Sequence, residues 1–298
     1  VKDSQWLHQL HAHGLLRASH IAPESYRELR SYLHERNIVQ KQKSDTLNRI
    51  HRLLTKMNIK VQHLISDIEG VSGMCLLRAI AGGESDAEKL LSLINKAYDF
   101  FKQQMKSYEL LIEQVLQQML PVKKKKKKQK VKSKTSHVRK NQYSINLTQY
   151  LHHIVGVDLT KIDGLDEITI LEVISVTGLD MNKWSNSDKF TSWLNLSPRP
   201  KITGGKLIGY SRRFTKNRAT QALLLSAQSM WKNKGALGRL YRRLAAQRGT
   251  AKAIKAIARK LAVILYHMIK NKTEFDPARL AIDDQKKKKK KIARLKKE

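Results

Sequence analysis

The chain has 298 residues, 59 of them Lys or Arg against 25 Asp or Glu, for a formal net charge of +34. So basic a balance predicts a polyanionic partner such as nucleic acid. Hydrophobic residues make up 41% of the chain, too many for a wholly disordered protein, and no uncharged apolar run reaches the ~18 residues that a membrane-spanning helix needs.

The excess charge is uneven. Residues 121–141 hold eleven basic side chains and no acidic one, and residues 286–298 hold nine basic and one acidic. Together they supply +19, so the rest of the chain still carries +15, more than two lysine tails on an ordinary protein would leave. Cys75 is the single cysteine, which excludes an internal disulfide and fits a reducing, cytoplasmic setting near the nucleoid. The chain opens on Val1 without a signal peptide, and we expect an N-terminally truncated protein.

In chain order, Asp3 reads as a first-turn helix acid ahead of Trp6, Leu7 and Leu10. From Pro23 to Leu120 the pattern predicts long helices. Val39, Ile50, Leu54, Met57, Val61, Leu64 and Ile68 form one stripe, and the breakers Gly70, Gly73 and Gly82-Gly83 interrupt it. A second run starts near Asp86, where Ile94, Ala97, Phe101, Tyr108, Leu111 and Val115 follow a seven-residue repeat. That repeat fits a coiled coil, as an antiparallel arm or a dimerising stalk; a plain helical bundle is the open alternative. Pro121 ends the helix, and Lys123–Lys128 with Lys130, Lys132, Lys134, Arg139 and Lys140 form a run that either touches phosphates or is a solvated linker.

Leu151, Ile154, Val155 and Leu159 predict the next helix. After Ile162-Asp163-Gly164-Leu165, a helix runs from Ile168 to Val176, like a helix-hairpin-helix. Asp166 stands where that motif has its second glycine, which favours an ordinary helical hairpin over a phosphate-binding one. Past a loop at 195–217, three helices are legible: Arg218–Trp231, one marked by Leu237, Leu240, Tyr241 and Leu244, and one packing Ile254, Ile257, Leu261, Ile264, Leu265 and Met268. Cations lie opposite these stripes, at Arg239, Arg242, Arg243 and Arg248, and at Lys252, Lys255 and Arg259. From Lys189 to Lys272, 84 residues, there is no acid at all, as a phosphate-tracking surface requires.

Within that stretch, Thr203-Gly204-Gly205-Lys206 joins a hydroxyl to two flexible glycines and a lysine, followed by Ser211, Arg212, Arg213, Lys216, Asn217 and Arg218. Such a set can grip a phosphate through converging amides, or present a hydroxyl nucleophile to a phosphodiester with cations screening the transition state.

The run Trp193–Pro198, then Ile202–Lys206, then Lys216-Asn217-Arg218-Ala219 resembles the C-terminal domain of the insertion-sequence 110 family transposases. So do Ala236-Leu237-Gly238, Tyr241-Arg242-Arg243 and Ala258–Ala262, with Gly156–Leu159 and Ile162-Asp163-Gly164 upstream. His13–Leu16, Arg27–Arg30 and Asn48-Arg49-Ile50 extend the likeness from Lys2 to about Phe275. The resemblance implies a RuvC-like α/β domain with four metal-binding carboxylates, a coiled-coil segment, and a C-terminal domain with a nucleophilic serine. It also implies DNA as substrate, a structured guide RNA, and Mg2+ in the full-length enzyme.

Carried over, Thr203 falls on the serine, and Asp3 falls on the last of the four carboxylates as a catalytic and metal-binding residue. Gly204, Gly205, Lys206, Arg212, Arg213, Asn217 and Arg218 are the expected nucleic-acid-binding residues, with the glycines and the lysine holding the phosphate and the arginines screening charge. Thr203 departs from serine by a β-methyl that restricts rotamers. The partners of Asp3 would lie before Val1, so this chain is expected to hold no Mg2+ itself.

The expected fold is mainly α. Residues 1–22 would be a remnant of the RuvC-like domain, 23–120 the coiled-coil segment, 121–143 a lysine-rich linker, 144–276 the C-terminal transposase domain and 277–298 a basic tail. The expected function is a DNA transposase acting as a homo-oligomer joined through the coiled coil, with no membrane partner. The alternative is an inactive relic that only binds nucleic acid.

Overall fold

The computed structural model describes residues 2–16, 20–61, 65, 67–83, 85–120, 142–211 and 217–276. The two lysine runs, with the predicted linker residues 121–141 and the tail 277–298, lie outside the described residues, as does Leu64.

The fold is mainly α, as expected. After the short helix α1 (Lys2–Ala12), two helices of 33 residues each, α2 (Glu24–Lys56) and α4 (Asp86–Gln118), lie side by side and antiparallel, each about 50 Å long. Pro23, with its fixed φ and no free N–H, precedes α2. Ser85 starts α4 through a capping box: its backbone N–H donates to Glu88 Oε2 (2.9 Å) while its hydroxyl accepts from the Glu88 N–H (3.3 Å). Helix α3 (Val71–Ile80) crosses the far end. Gly73, predicted to break helix, sits inside α3, because the carbonyl of Ile68 lies 2.5 Å from where a Cβ would stand.

The seam between α2 and α4 does repeat every seven residues, in a different register from the predicted one. On α2 the buried set is Leu29, Arg36, Lys43 and Ile50, with Val39, Thr46 and Leu53; on α4 it is Leu91, Tyr98, Met105 and Ile112, with Asn95, Glu109 and Leu116. Of the six residues predicted to face inward, Ile94 and Val115 are buried, whereas Ala97, Phe101, Tyr108 and Leu111 are half-buried. Five polar side chains, Arg36, Lys43, Thr46, Asn95 and Glu109, occupy the true seam, so a count of apolar spacing alone misses it.

Arg36, only 1% exposed, donates from Nε (2.9 Å) and Nη2 (2.6 Å) to Oε1 of Glu109, itself 4% exposed. Oε2 of Glu109 accepts from the N–H (2.9 Å) and hydroxyl (2.5 Å) of Ser144, and the Arg36 guanidinium lies 3.6 Å from the centroid of Tyr143. Burial pushes the Tyr143 hydroxyl up to about 12, against the pull of Arg36, so the ring serves as a neutral aromatic wall. Higher in the arm, Lys43 pairs with Glu69 (3.4 Å).

The main core runs from the base of this arm into the C-terminal helices, joining Leu29, Leu33, Ile112 and Leu116 to Leu147, Leu171, Phe190, Leu223 and Leu261. A second cluster, around Ile50, Leu77, Leu91 and Tyr98, holds the far end. Helix α5 (Leu147–Val155) stops at Gly156, whose φ of 85° is left-handed. Helix α6 (Glu167–Thr177) starts on Asp166, whose carboxylate accepts from the Thr169 N–H (2.9 Å). That cap explains an aspartate where a phosphate-binding hairpin has glycine. The turn itself packs inward: Ile162 and Leu165 are buried, and a Cβ on Gly164 would stand 2.1 Å from the Met230 methyl.

Helix α7 (Ser187–Trp193) follows, then a two-stranded antiparallel sheet, β1 (Pro200–Thr203) and β2 (Lys206–Tyr210), inside the stretch predicted as a loop. Helices α8 (Arg218–Ser229), α9 (Ala236–Arg248) and α10 (Thr250–Asn271) complete the chain. Helix α10 is the central post, with Ile257, Leu261, Leu265 and Met268 inward as predicted, and the Tyr266 hydroxyl donating to the Trp184 carbonyl (2.9 Å). On α8, Leu223 and Ala227 fill the inner face, while Leu225 is 67% exposed. The Asn233 carbonyl approaches to within 1.9 Å of where a Cβ on Gly238 would stand.

Two outcomes follow for stability. Arg36→Met or Glu109→Leu alone strands a buried charge and is expected to cost about 3–5 kcal/mol, while the double variant costs less than either single one. Urea unfolding followed by circular dichroism measures this, and strictly additive losses would show the pair uncoupled. By the same method, Gly238→Ala is expected to cost about 1–3 kcal/mol, since the obstacle is backbone.

Candidate nucleic-acid interface

The sequence Ile202-Thr203-Gly204-Gly205-Lys206-Leu207 folds as a hairpin because its two glycines are both left-handed, with φ of 55° and 76°. Two consecutive left-handed residues make the tight turn whose twist matches antiparallel strands. An amide nest alternates right- and left-handed residues instead. The glycines are therefore taken up by the turn, and the register sets Thr203 directly opposite Lys206. Side chains of such a pair share a face, with Cβ atoms about 4.5–5.5 Å apart.

Further back, Ile202 pairs with Leu207 and Lys201 with Gly209, so the ladder shifts there and Ile208 is the extra residue. The Ser211 N–H donating to the Arg199 carbonyl (2.9 Å) closes the base. The hairpin stands clear of the core, with Ile202, Leu207, Ile208 and Tyr210 all more than half exposed. Thr203 is exposed at its tip, and no described residue hydrogen-bonds its hydroxyl. The nearby Ser197 hydroxyl is instead engaged with that of Thr191 (2.9 Å). A period-two apolar run around two glycines is the signal for this hairpin; reading the glycines as an anion cradle hid it.

The other predicted binding residues lie apart. Asn217 caps α8, its side-chain oxygen accepting from the Ala219 N–H (2.9 Å). Arg218, in the first turn of α8, donates to Nδ1 of His34 on α2. Arg212 and Arg213 lie outside the described residues. Several cations of the acid-free stretch are structural. Arg242 donates to the carbonyls of Trp231 (3.0 Å) and Asn233 (2.8 Å), Arg239 to that of Lys234 (3.2 Å), and Arg259 pairs with Asp188 (2.9 Å). Lys252, Lys255 and Arg248 remain exposed.

Asp3 is exposed in the first turn of α1, and among the described residues no three His, Cys, Asp or Glu side chains converge. A lone exposed carboxylate does not fit a Mg2+ site, and the chemistry below uses none. No helix among the described residues is long and apolar enough to cross a membrane.

Fold and site together define a basic, mainly helical protein that presents a hydroxyl on an exposed hairpin within an acid-free stretch of sequence. Residues 158–242 match the family described as Transposase IS116/IS110/IS902 family. No curated protein matches the chain.

One acid lies near Arg218. Glu172 on α6 accepts from Asn37 (3.0 Å), and burial pushes its carboxyl above the usual range, with Asn37 and Arg218 only partly opposing. A carboxyl raised on folding binds its proton more tightly in the native state, so ionising it lowers stability as pH rises through the carboxylate range. Glu172→Gln keeps an acceptor for Asn37 without the charge. It is expected to be more stable than the parent at neutral pH, with the gap closing below about pH 4. Denaturation at a series of pH values tests the sign.

Proposed function

We propose that this protein is an insertion-sequence transposase that exchanges DNA strands through the Thr203 hydroxyl. The observation that carries this reading is the exposed Thr203–Lys206 pair at a glycine turn, inside the segment that matches the transposase family. Attack of Thr203 Oγ1 on a DNA phosphodiester forms a threonyl phosphodiester and frees a sugar hydroxyl. The exchange replaces one phosphodiester by another, so it conserves the bond for rejoining.

Lys206 across the turn screens the charge that builds on the phosphate, and Arg212 and Arg213, a few residues on in sequence, are proposed to add to it. Gly204 and Gly205 let the phosphate approach, because nothing lies within 4 Å of where either Cβ would stand. The proton acceptor comes from outside the described residues, since none of them touches the hydroxyl. A structured guide RNA is the proposed second polyanion, supported by the net charge of +34. A homo-oligomer through the α2–α4 arm is supported by Leu93 and Phe100, seven apart and both exposed on α4.

A second reading, a binding protein without strand exchange, is favoured by the isolation of Thr203 from any base and by its β-methyl. The two are separated by incubating the protein, together with the rest of its transposase where Val1 is not the native start, with donor and target DNA and guide RNA. Denaturing gels are expected to show a protein–DNA adduct that Thr203→Ala abolishes and Thr203→Ser increases. If neither the parent nor Thr203→Ser forms an adduct while both bind DNA, the nucleophile reading falls and the binding reading stands.

A further inference from the structure

A cleft of about 460 Å³ opens between the start of α2, the end of α6 and the N-terminus of α8. Its cationic side is built from two helices. Arg30 and His34, one turn apart on α2, are exposed, and Arg218 of α8 reaches across to Nδ1 of His34. Its other side is apolar and aromatic, from Ile21, Ala22, Val176 and Trp193. His20 completes the rim, its ring edge-on to Trp193 at 5.3 Å and its imidazole held below the usual range by burial.

None of the described lining residues carries a carboxylate. The nearest acid in electrostatic reach of Arg218 is Glu172, one turn before Val176 and bonded to Asn37. Arg218 and His34 touch directly, and with no carboxylate on the lining an anion on this side meets Arg30 and Arg218 together. The capped N-terminus of α8 adds its partial positive charge at the same point.

We propose that this cleft holds one nucleotide of a single-stranded nucleic acid, its phosphate on Arg30, His34 and Arg218 and its base against Trp193 and Ile21. The inference rests on the reading of the protein as a nucleic-acid-binding transposase and assigns it a second contact, on α2 and α8. A volume of this size takes a nucleotide and not merely a phosphate. A cationic rim beside an aromatic wall is the combination that captures an unstacked base. A duplex presents only backbone to such a recess, so the fit is to a single strand.

The test uses the whole chain and fluorescence anisotropy with two strands of equal length, an oligothymidylate and an abasic sugar-phosphate chain. Arg30→Gln/His34→Gln, exposed positions whose replacement spares the core, is expected to weaken both strands about tenfold and to flatten the salt slope by one to two. Trp193→Leu is expected to weaken the oligothymidylate about tenfold and leave the abasic strand unchanged. Trp193 is half-buried, so the melting curve of Trp193→Leu is compared with the parent's, and if its melting is altered it is replaced by Ile21→Ser on the same wall. The proposal is overturned if both variants bind within twofold of the parent. It is overturned equally if Trp193→Leu weakens both strands alike, or if inorganic phosphate competes as well as the strand does. A parent chain that binds neither strand instead overturns the nucleic-acid reading itself.

Discussion

The buried pair of Arg36 and Glu109 is the constraint on which the rest of the molecule depends. Two charges taken out of water are costly unless every donor and acceptor finds a partner. Here the second carboxylate oxygen is filled by Ser144, from the strand of chain that leads into α5. One network thus fixes α2, α4 and the entry to the C-terminal helices at a single point. It also sets the rotation of α2. With Arg36 turned inward, Arg30 and His34 fall about 120–160° around the helix, on the side that meets α8.

The acid-free stretch has two kinds of cation in it. Arg239, Arg242 and Arg259 are spent on carbonyls and on Asp188, and they hold turns and helices in place. Lys206, Lys252 and Lys255 are exposed and contribute to the outward field. The absence of acids from 84 residues therefore serves packing and surface potential together.

Much of this was legible in sequence. The helices after residue 144 follow the apolar spacing closely, because α10 buries a conventional stripe against its neighbours. The start of α4 near Asp86 was readable as well, since Ser85 and Glu88 form a local cap. The register of the arm was not readable, because Arg36, Lys43, Asn95 and Glu109 look like surface residues until their partners, far away in the chain, are placed beside them. The β-hairpin was overlooked because a glycine pair serves equally for a turn and for an anion cradle, and only the backbone angles separate the two. The cleft draws on residues from 20 to 218, brought together by helix packing that no local pattern encodes.

Lys272, past the end of α10, turns back to donate to the Val155 carbonyl (2.9 Å), and Glu274 pairs with Lys161 (2.6 Å). The last described helix is thereby fastened beside the C-terminal end of α5, a helix of only nine residues whose other end adjoins Tyr143. Tyr143 and the segment Lys272–Glu274 are consequently held at the two ends of one short helix, about 14 Å long. Two points separated by more than a hundred residues of sequence thus share one anchorage, so that loosening α5 releases both at once.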